Sequence, residues 1–342
     1  QGSDVAAHSA GVLDIRTNIL ADTDALYLTA IDKYGHELWR WTFPVNKLNQ
    51  QTEQLSPLSS RPTYTETEND LTVKANKRTF IFSKKDGQLK GVSVDNRKIS
   101  FANGPRFIGA RRADRSLDQF YNHDDEKAKE KDRTYSEFPD AAVFTKLDVK
   151  EDGGNLVVTA NYKLGNLDKA QWTINPSGDL ALDYTYNFSG VVDLMGIRFD
   201  YPEDQVISKR WLGAGPYRVW QNRIHGTQYD VWENDYNDPI PGETFTYPEF
   251  KGYFGDVSWM NIQTKEGTIS LTNETPDAYI GVYQPRDGRD RLLYTLPESG
   301  ISVLNVIPPV RNKVNSTDLC GPSSQPKWVN GPQTGRVIFR FM

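Results

Sequence analysis

Seven residues between positions 217 and 232 are of the types that hold sugars. Tyr217, Trp220, Tyr229 and Trp232 offer flat ring faces, and Asn222, Arg223 and His225 set polar groups among them. The C–H face of a sugar stacks on an aromatic ring, while its hydroxyls exchange hydrogen bonds with amide and guanidinium groups. The same spacing also suits the edge of a β-sandwich packed by its own aromatics, so both readings stand here. Just ahead of the segment Trp211 reads as a buried anchor, and within it Trp220 reads as a ligand contact.

Acid–base chemistry would draw on Glu233, Asp235, Asp238 and Glu249, which follow the aromatic segment closely. A glycosidase places two carboxylates across a sugar, one as acid and one as nucleophile or base. With 45 acidic residues in the chain, proximity in sequence alone makes no such pair. The strand–helix alternation of a barrel that could hold one is missing too. No catalytic residue is therefore assigned.

No metal and no cofactor is expected. His8, His36, His123, His225 and Cys320 show no ligand spacing. The run Asp124, Asp125, Glu126 reads as a hydrated charge cluster. The Gly213–Pro216 stretch lacks the Lys-Ser/Thr of a phosphate loop, and no nucleophile elbow is present.

The elements that must position these residues are strands. Leu71–Val73, Thr79–Phe82, Leu89–Val94, the series from Ala142 to Phe199, Thr268–Leu271, Tyr279–Tyr283, Ile301–Val306 and Arg336–Phe341 alternate with period two. Turn signals separate them at Lys85-Asp86-Gly87, Asp152-Gly153-Gly154 and Pro176-Ser177-Gly178. Two glycines and a proline after Trp211 predict a tight, irregular turn over Trp211–Pro216. The arginine-rich run Gly104–Asp114 reads as a solvated loop, and Tyr121–Arg133 as a charged excursion. An all-β fold follows, a large antiparallel sandwich.

Ahead of it, Val12–Ile19, Ala25–Ile31 and Glu37–Val45 form three strand-like runs, with Lys33–His36 turning between the last two. Three strands are too few for an independent sandwich and read as the tail of an immunoglobulin-like domain. The expected division is 1–48 for that segment, 49–68 for a polar linker and 69–342 for the sandwich. The start Gln1-Gly2-Ser3-Asp4, without Met, is what a processed or excised piece of a longer protein would show.

A net charge of −5 over 342 residues, with scattered basic side chains, argues against nucleic acid. No apolar run reaches the roughly eighteen residues of a membrane-spanning helix. A single cysteine excludes an internal disulfide and suits a bacterial periplasm or cytoplasm.

The most specific motifs are Met195-Gly196-Ile197-Arg198-Phe199 and Trp211-Leu212-Gly213-x-Gly215-Pro216 with Asn222-Arg223. Together with Leu26–Phe43 and the opening at Leu71–Lys98, they resemble the C-terminal region of family 2 glycoside hydrolases of the β-galactosidase kind. The resemblance implies the end of an immunoglobulin-like domain followed by the small-chain super-sandwich, a galactose mutarotase-like fold. It also implies a parent enzyme whose two catalytic glutamates lie on a barrel outside this sequence.

In that family the sandwich lends an aromatic platform to the rim of the active site, a role that by rough position falls to Trp328. Where the family has Arg-Ala-Pro-x-Asp-Asn-Asp after a Phe, this chain has Phe107 to Asp114, whose Arg111 and Arg112 join the candidate sugar contacts. The expected partners are a β-galactoside or related glycan and the catalytic barrel of the same polypeptide. A stand-alone carbohydrate-binding module is the alternative, and a mutarotase-like epimerase a further one, for which His225 with Glu233 or Glu249 is the one histidine–glutamate combination that can be named.

Overall fold

The computed structural model describes residues 5–6, 8–13, 23, 25–45, 60–112, 135–235, 252–282, 296–309 and 325–342. The chain forms two compact units, Gln1–Gln50 and Gln51–Met342.

In the smaller unit β1 (Ala25–Ile31) and β2 (Glu37–Pro44) make an antiparallel hairpin. Its turn is tied by Asp32, whose carboxylate accepts the backbone N–H of Tyr34 at 2.8 Å and of His36 at 2.9 Å. The His36 bond is the main cause of the lowered Asp32 pKa. Gly35 takes the left-handed conformation that the turn requires. Of the first expected run, Val12–Ile19, Val12 and Leu13 lie outside any strand and 14–19 lie outside the described residues.

In the larger unit the chain first lays down β3 (Thr63–Glu66), β4 (Asp70–Ala75), β5 (Arg78–Ser83), β6 (Leu89–Val94), β7 (Arg97–Ile99) and β8 (Ala102–Arg112). Next come β9 (Tyr135–Glu137), β10 (Val143–Asp152), β11 (Asn155–Lys163), β12 (Leu167–Ile174), β13 (Leu180–Val192) and β14 (Leu194–Asp200). The last are β15 (Val206–Gly215), β16 (Gln228–Asp235), β17 (Trp259–Thr264), β18 (Gly267–Asn273), β19 (Tyr279–Gly281), β20 (Ile301–Val306) and β21 (Lys327–Phe341).

Nine of these strands form one sheet in the order β10-β11-β12-β13-β21-β18-β17-β15-β16. The other sheet runs β19-β20-β14-β8-β6-β5-β4-β3, with β7 on β6 and β9 on β8. All pairings between these strands are antiparallel. The chain passes between the sheets at buried Asp193, whose N–H donates to the Ala110 carbonyl at 2.9 Å.

Period-two alternation builds the core. Phe80 and Phe82 of β5 and Val337, Phe339 and Phe341 of β21 are fully buried while the residues between them are not. Phe101 stacks on Phe199 at 4.6 Å and meets Phe339 at 4.9 Å, and Phe82 meets Trp172 at 5.9 Å. Each such ring, taken out of water, contributes about 1.5–3 kcal/mol.

Three sequence expectations need correction. The run Gly104–Asp114 is not a solvated loop: through Arg112 it is β8, held between β6 and β14, with Phe107, Ile108 and Ala110 buried. Gly104 sits there because a Cβ would collide with the Phe199 ring. Trp211–Gly215 is not a turn either but the second half of β15, paired with β16 through Gly215 and Gln228. Its glycines serve close approach, since a Cβ on Gly213 would lie 3.0 Å from the Val257 Cα and one on Gly215 would strike the Trp232 indole. Finally, residues 63–66 of the expected linker form β3, paired with β4. Tyr121–Arg133 lies outside the described residues.

Candidate functional site

The predicted aromatic segment is the β15–β16 hairpin at one edge of the nine-stranded sheet. Trp211 is buried, its indole N–H donating to the Ala214 carbonyl at 3.0 Å and its ring meeting Phe254 edge-on at 5.0 Å. Past Gly215 the chain turns, leaving Tyr217 about half exposed, at 52%.

Trp220 turns inward, contrary to its reading as a ligand contact. Only 2% exposed, it meets the Tyr253 ring edge-on at 5.5 Å within a second core cluster that includes Ile108, Leu194, Leu304 and Ile307. Two backbone hydrogen bonds join Val219 and Tyr253, at 2.7 and 2.9 Å, and fix that packing. A ring with no free face cannot stack on sugar. Burial, with Tyr135 beside it, pushes the Tyr253 hydroxyl well above its ordinary pKa.

The remaining candidates are spread along the hairpin. Asn222 is half-buried and Arg223 is exposed, its N–H closing a tight turn on the Trp220 carbonyl at 2.8 Å. His225 is exposed at the tip. Tyr229 is half-buried, its hydroxyl 2.6 Å from Ser258 Oγ, and burial raises its pKa. Trp232 is half-buried, donates to the Gln228 carbonyl at 3.0 Å and lies over Gly215.

Glu233 is exposed on β16 opposite Arg210. Among the described residues no hydrogen bond or ion pair joins His225 to Glu233, and Asp238 and Glu249 lie outside them. Asp235 ends β16 opposite Ser208. Arg111 is half-buried on β8 opposite Ser136, and Arg112 pairs with Tyr135 across the β8–β9 ladder.

Trp328 behaves differently. It stands on β21 opposite Val191 and is 72% exposed. The other tryptophans of the larger unit, Trp172, Trp211, Trp220 and Trp259, are buried, and Trp232 is half-buried. The aromatic hairpin approaches the run leading into β21 through Gln221, whose side-chain amide donates to the Gln325 carbonyl at 2.7 Å. The Gln221 backbone N–H donates to the Pro308 carbonyl at 3.0 Å. This buried glutamine was not singled out in the sequence, because its role depends on a segment about a hundred residues away.

Sequence reasoning also missed a polar cleft at the opposite end of β8 and β14. About 620 Å³ in volume, it is walled by Arg106, Arg198, Asp200 and Glu298, with Lys98 and Tyr201 beside them. Arg106 pairs with Asp200, and Asn103 donates to the same carboxylate at 2.9 Å. Arg198 donates to the Glu298 carbonyl and lies 3.9 Å from Glu137. Burial lowers the Arg198 pKa, and the neighbouring Arg106 guanidinium lowers it further. The available signal was alternation alone: Arg198 sits between inward-facing Ile197 and Phe199. Among the described residues no group of acidic, histidine or cysteine side chains could hold a metal.

A family model described as "Beta galactosidase small chain" matches residues 74–308. No curated protein matches the chain. Among solved structures it is similar to a galactose 1-epimerase from Lactobacillus acidophilus NCFM, at 11% identity over 83% of this chain and 99% of that one, with a TM-score of 0.47. The GalM/aldose epimerase homologue from C. elegans matches at 8% identity over 82% and 99% of the two chains, with a TM-score of 0.37. A copper-containing benzylamine oxidase from Hansenula polymorpha matches at 6% identity over 82% and 60%, with a TM-score of 0.33.

Proposed function

The chain belongs to the β-galactosidase small chain family, and on that premise we propose that it is a non-catalytic module that works with a catalytic barrel. Its part is to shape the barrel's carbohydrate entrance, for a β-galactoside or a related glycan, with Trp328 as the aromatic platform. The observation that carries this reading is the exposure of Trp328 on a strand tied to β13 along thirteen register pairs. A ring held this firmly and left open is suited to stack on a sugar presented by a partner surface. The inward packing of Trp220 also takes one candidate ring away from an epimerase-like sugar pocket.

The test is Trp328→Ala in the assembled enzyme, formed by this chain with its catalytic barrel, assayed on aryl β-galactosides. A stacking platform worth about 1–2 kcal/mol predicts a roughly tenfold rise in KM with kcat less affected. Unchanged KM and kcat in a folded, assembled variant would remove Trp328 from the entrance.

A further inference from the structure

The large polar cleft does not end at β14. Asn103 lines it and also lines a second cleft of about 480 Å³, formed with Asp70, Asp86, Lys85 and Lys90. The two therefore adjoin at one side chain, with lining residues at the start of β8, on β4 and in the β5–β6 turn. Two adjoining clefts suit an extended chain better than a single small molecule.

The wall chemistry narrows the ligand. In the larger cleft Lys98, Arg106 and Arg198 are matched by Asp200, Glu203 and Glu298. In the smaller one Lys85 and Lys90 are matched by Asp70 and Asp86. A balanced lining has no net pull on a polyanion, which excludes the electrostatic basis of nucleic-acid or polyuronate binding. It offers instead both donors and acceptors, the complement of hydroxyl groups, each of which is both. The buried Nε–H groups of Arg106 and Arg198 have no hydrogen-bond partner on this wall.

We propose that the groove running through Asn103 binds a linear, neutral oligosaccharide at a site separate from the Trp328 platform. The proposal shares with the preceding reading its carbohydrate ligand, but it does not depend on assembly with a catalytic barrel. It is therefore tested on this chain alone. The probes are the di-, tetra- and hexasaccharides of β-1,4-galactan and of β-1,4-glucan, with hexagalacturonate as the charged counterpart, titrated by calorimetry.

The expected result is binding of a neutral hexasaccharide, about tenfold weaker binding of its disaccharide, and little dependence on salt. Arg106→Gln should weaken hexasaccharide binding about tenfold or more through loss of a charged hydrogen-bond donor. Lys90→Ala alters an exposed ion pair on the second cleft and leaves the fold intact, so it should weaken the hexasaccharide while sparing the disaccharide. Hydrogen exchange should show protection at residues 102–106 and 198–200. The proposal is overturned if no neutral hexasaccharide binds. It is equally overturned if only hexagalacturonate binds, if both variants bind as the parent does, or if protection falls on residues 325–331 instead.

Discussion

The hairpin of β15 and β16 and the groove through Asn103 are both rich in groups that recognise sugars, yet they put them to opposite uses. In the hairpin the tryptophans are drawn into packing: Trp211 on Phe254, Trp220 on Tyr253, Trp232 over Gly215. In the groove the side chains are charged, paired with one another and open to solvent on one side. Aromatic density thus marks packing, and the open polar surface lies where strand ends bring charged residues together.

The sharpest way to break that contrast is to truncate the buried ring. Trp220→Ala should cost about 3–5 kcal/mol, as should Trp211→Ala, because each leaves a ring-sized cavity among packed neighbours. Denaturant unfolding of the larger unit measures both. A loss below about 1 kcal/mol for Trp220 would return it to the surface and to ligand binding.

Next in size is the pair that anchors the end of β21. Arg340 meets both Asp179 oxygens, at 2.6 and 2.7 Å, with each side chain only 14% exposed. Arg340→Met should cost about 3 kcal/mol by leaving Asp179 without its paired guanidinium. The pH dependence has a definite sign. Burial raises the Asp179 pKa, but the Arg340 bonds and charge, with Asn175 and Arg78, outweigh it and hold the pKa below its ordinary 3.8. The pair's contribution is therefore present above about pH 4 and disappears as pH falls through the folded-state value. Acid unfolding of Arg340→Met should show less of that dependence than the parent.

A glycine substitution refines the same comparison. Gly215→Ala places a Cβ against the Trp232 indole and should cost about 1–3 kcal/mol, since the strand is closed over by that ring. The smallest effect belongs to Trp328→Ala, which should change stability by no more than about 0.5 kcal/mol because its ring is 72% exposed. Unfolding curves that ranked Trp328 with Trp220 would erase the distinction between platform and core.

Much of the fold was legible because its cause is local. Phe80 and Phe82 alternate with outward residues, and Asp86-Gly87 and Gly153-Gly154 supply the left-handed turn positions, so the strands and hairpins follow from short windows. The Trp211–Gly215 stretch misled for an equally physical reason. Glycines were read as turn formers, whereas here they make room for Val257 and the Trp232 ring, neighbours that only pairing reveals. The groove was not legible at all. Arg106 meets Asp200 across 94 positions, Asn103 meets it across 97, and no local pattern marks such a meeting.

The most direct test of the account is hydrolysis of nitrophenyl β-galactoside by this chain alone and by the chain together with its catalytic barrel. A non-catalytic module predicts no turnover by the chain alone and turnover when the barrel is present. Turnover by the purified chain alone, abolished by Glu233→Gln, would contradict it and place a catalytic carboxylate on β16.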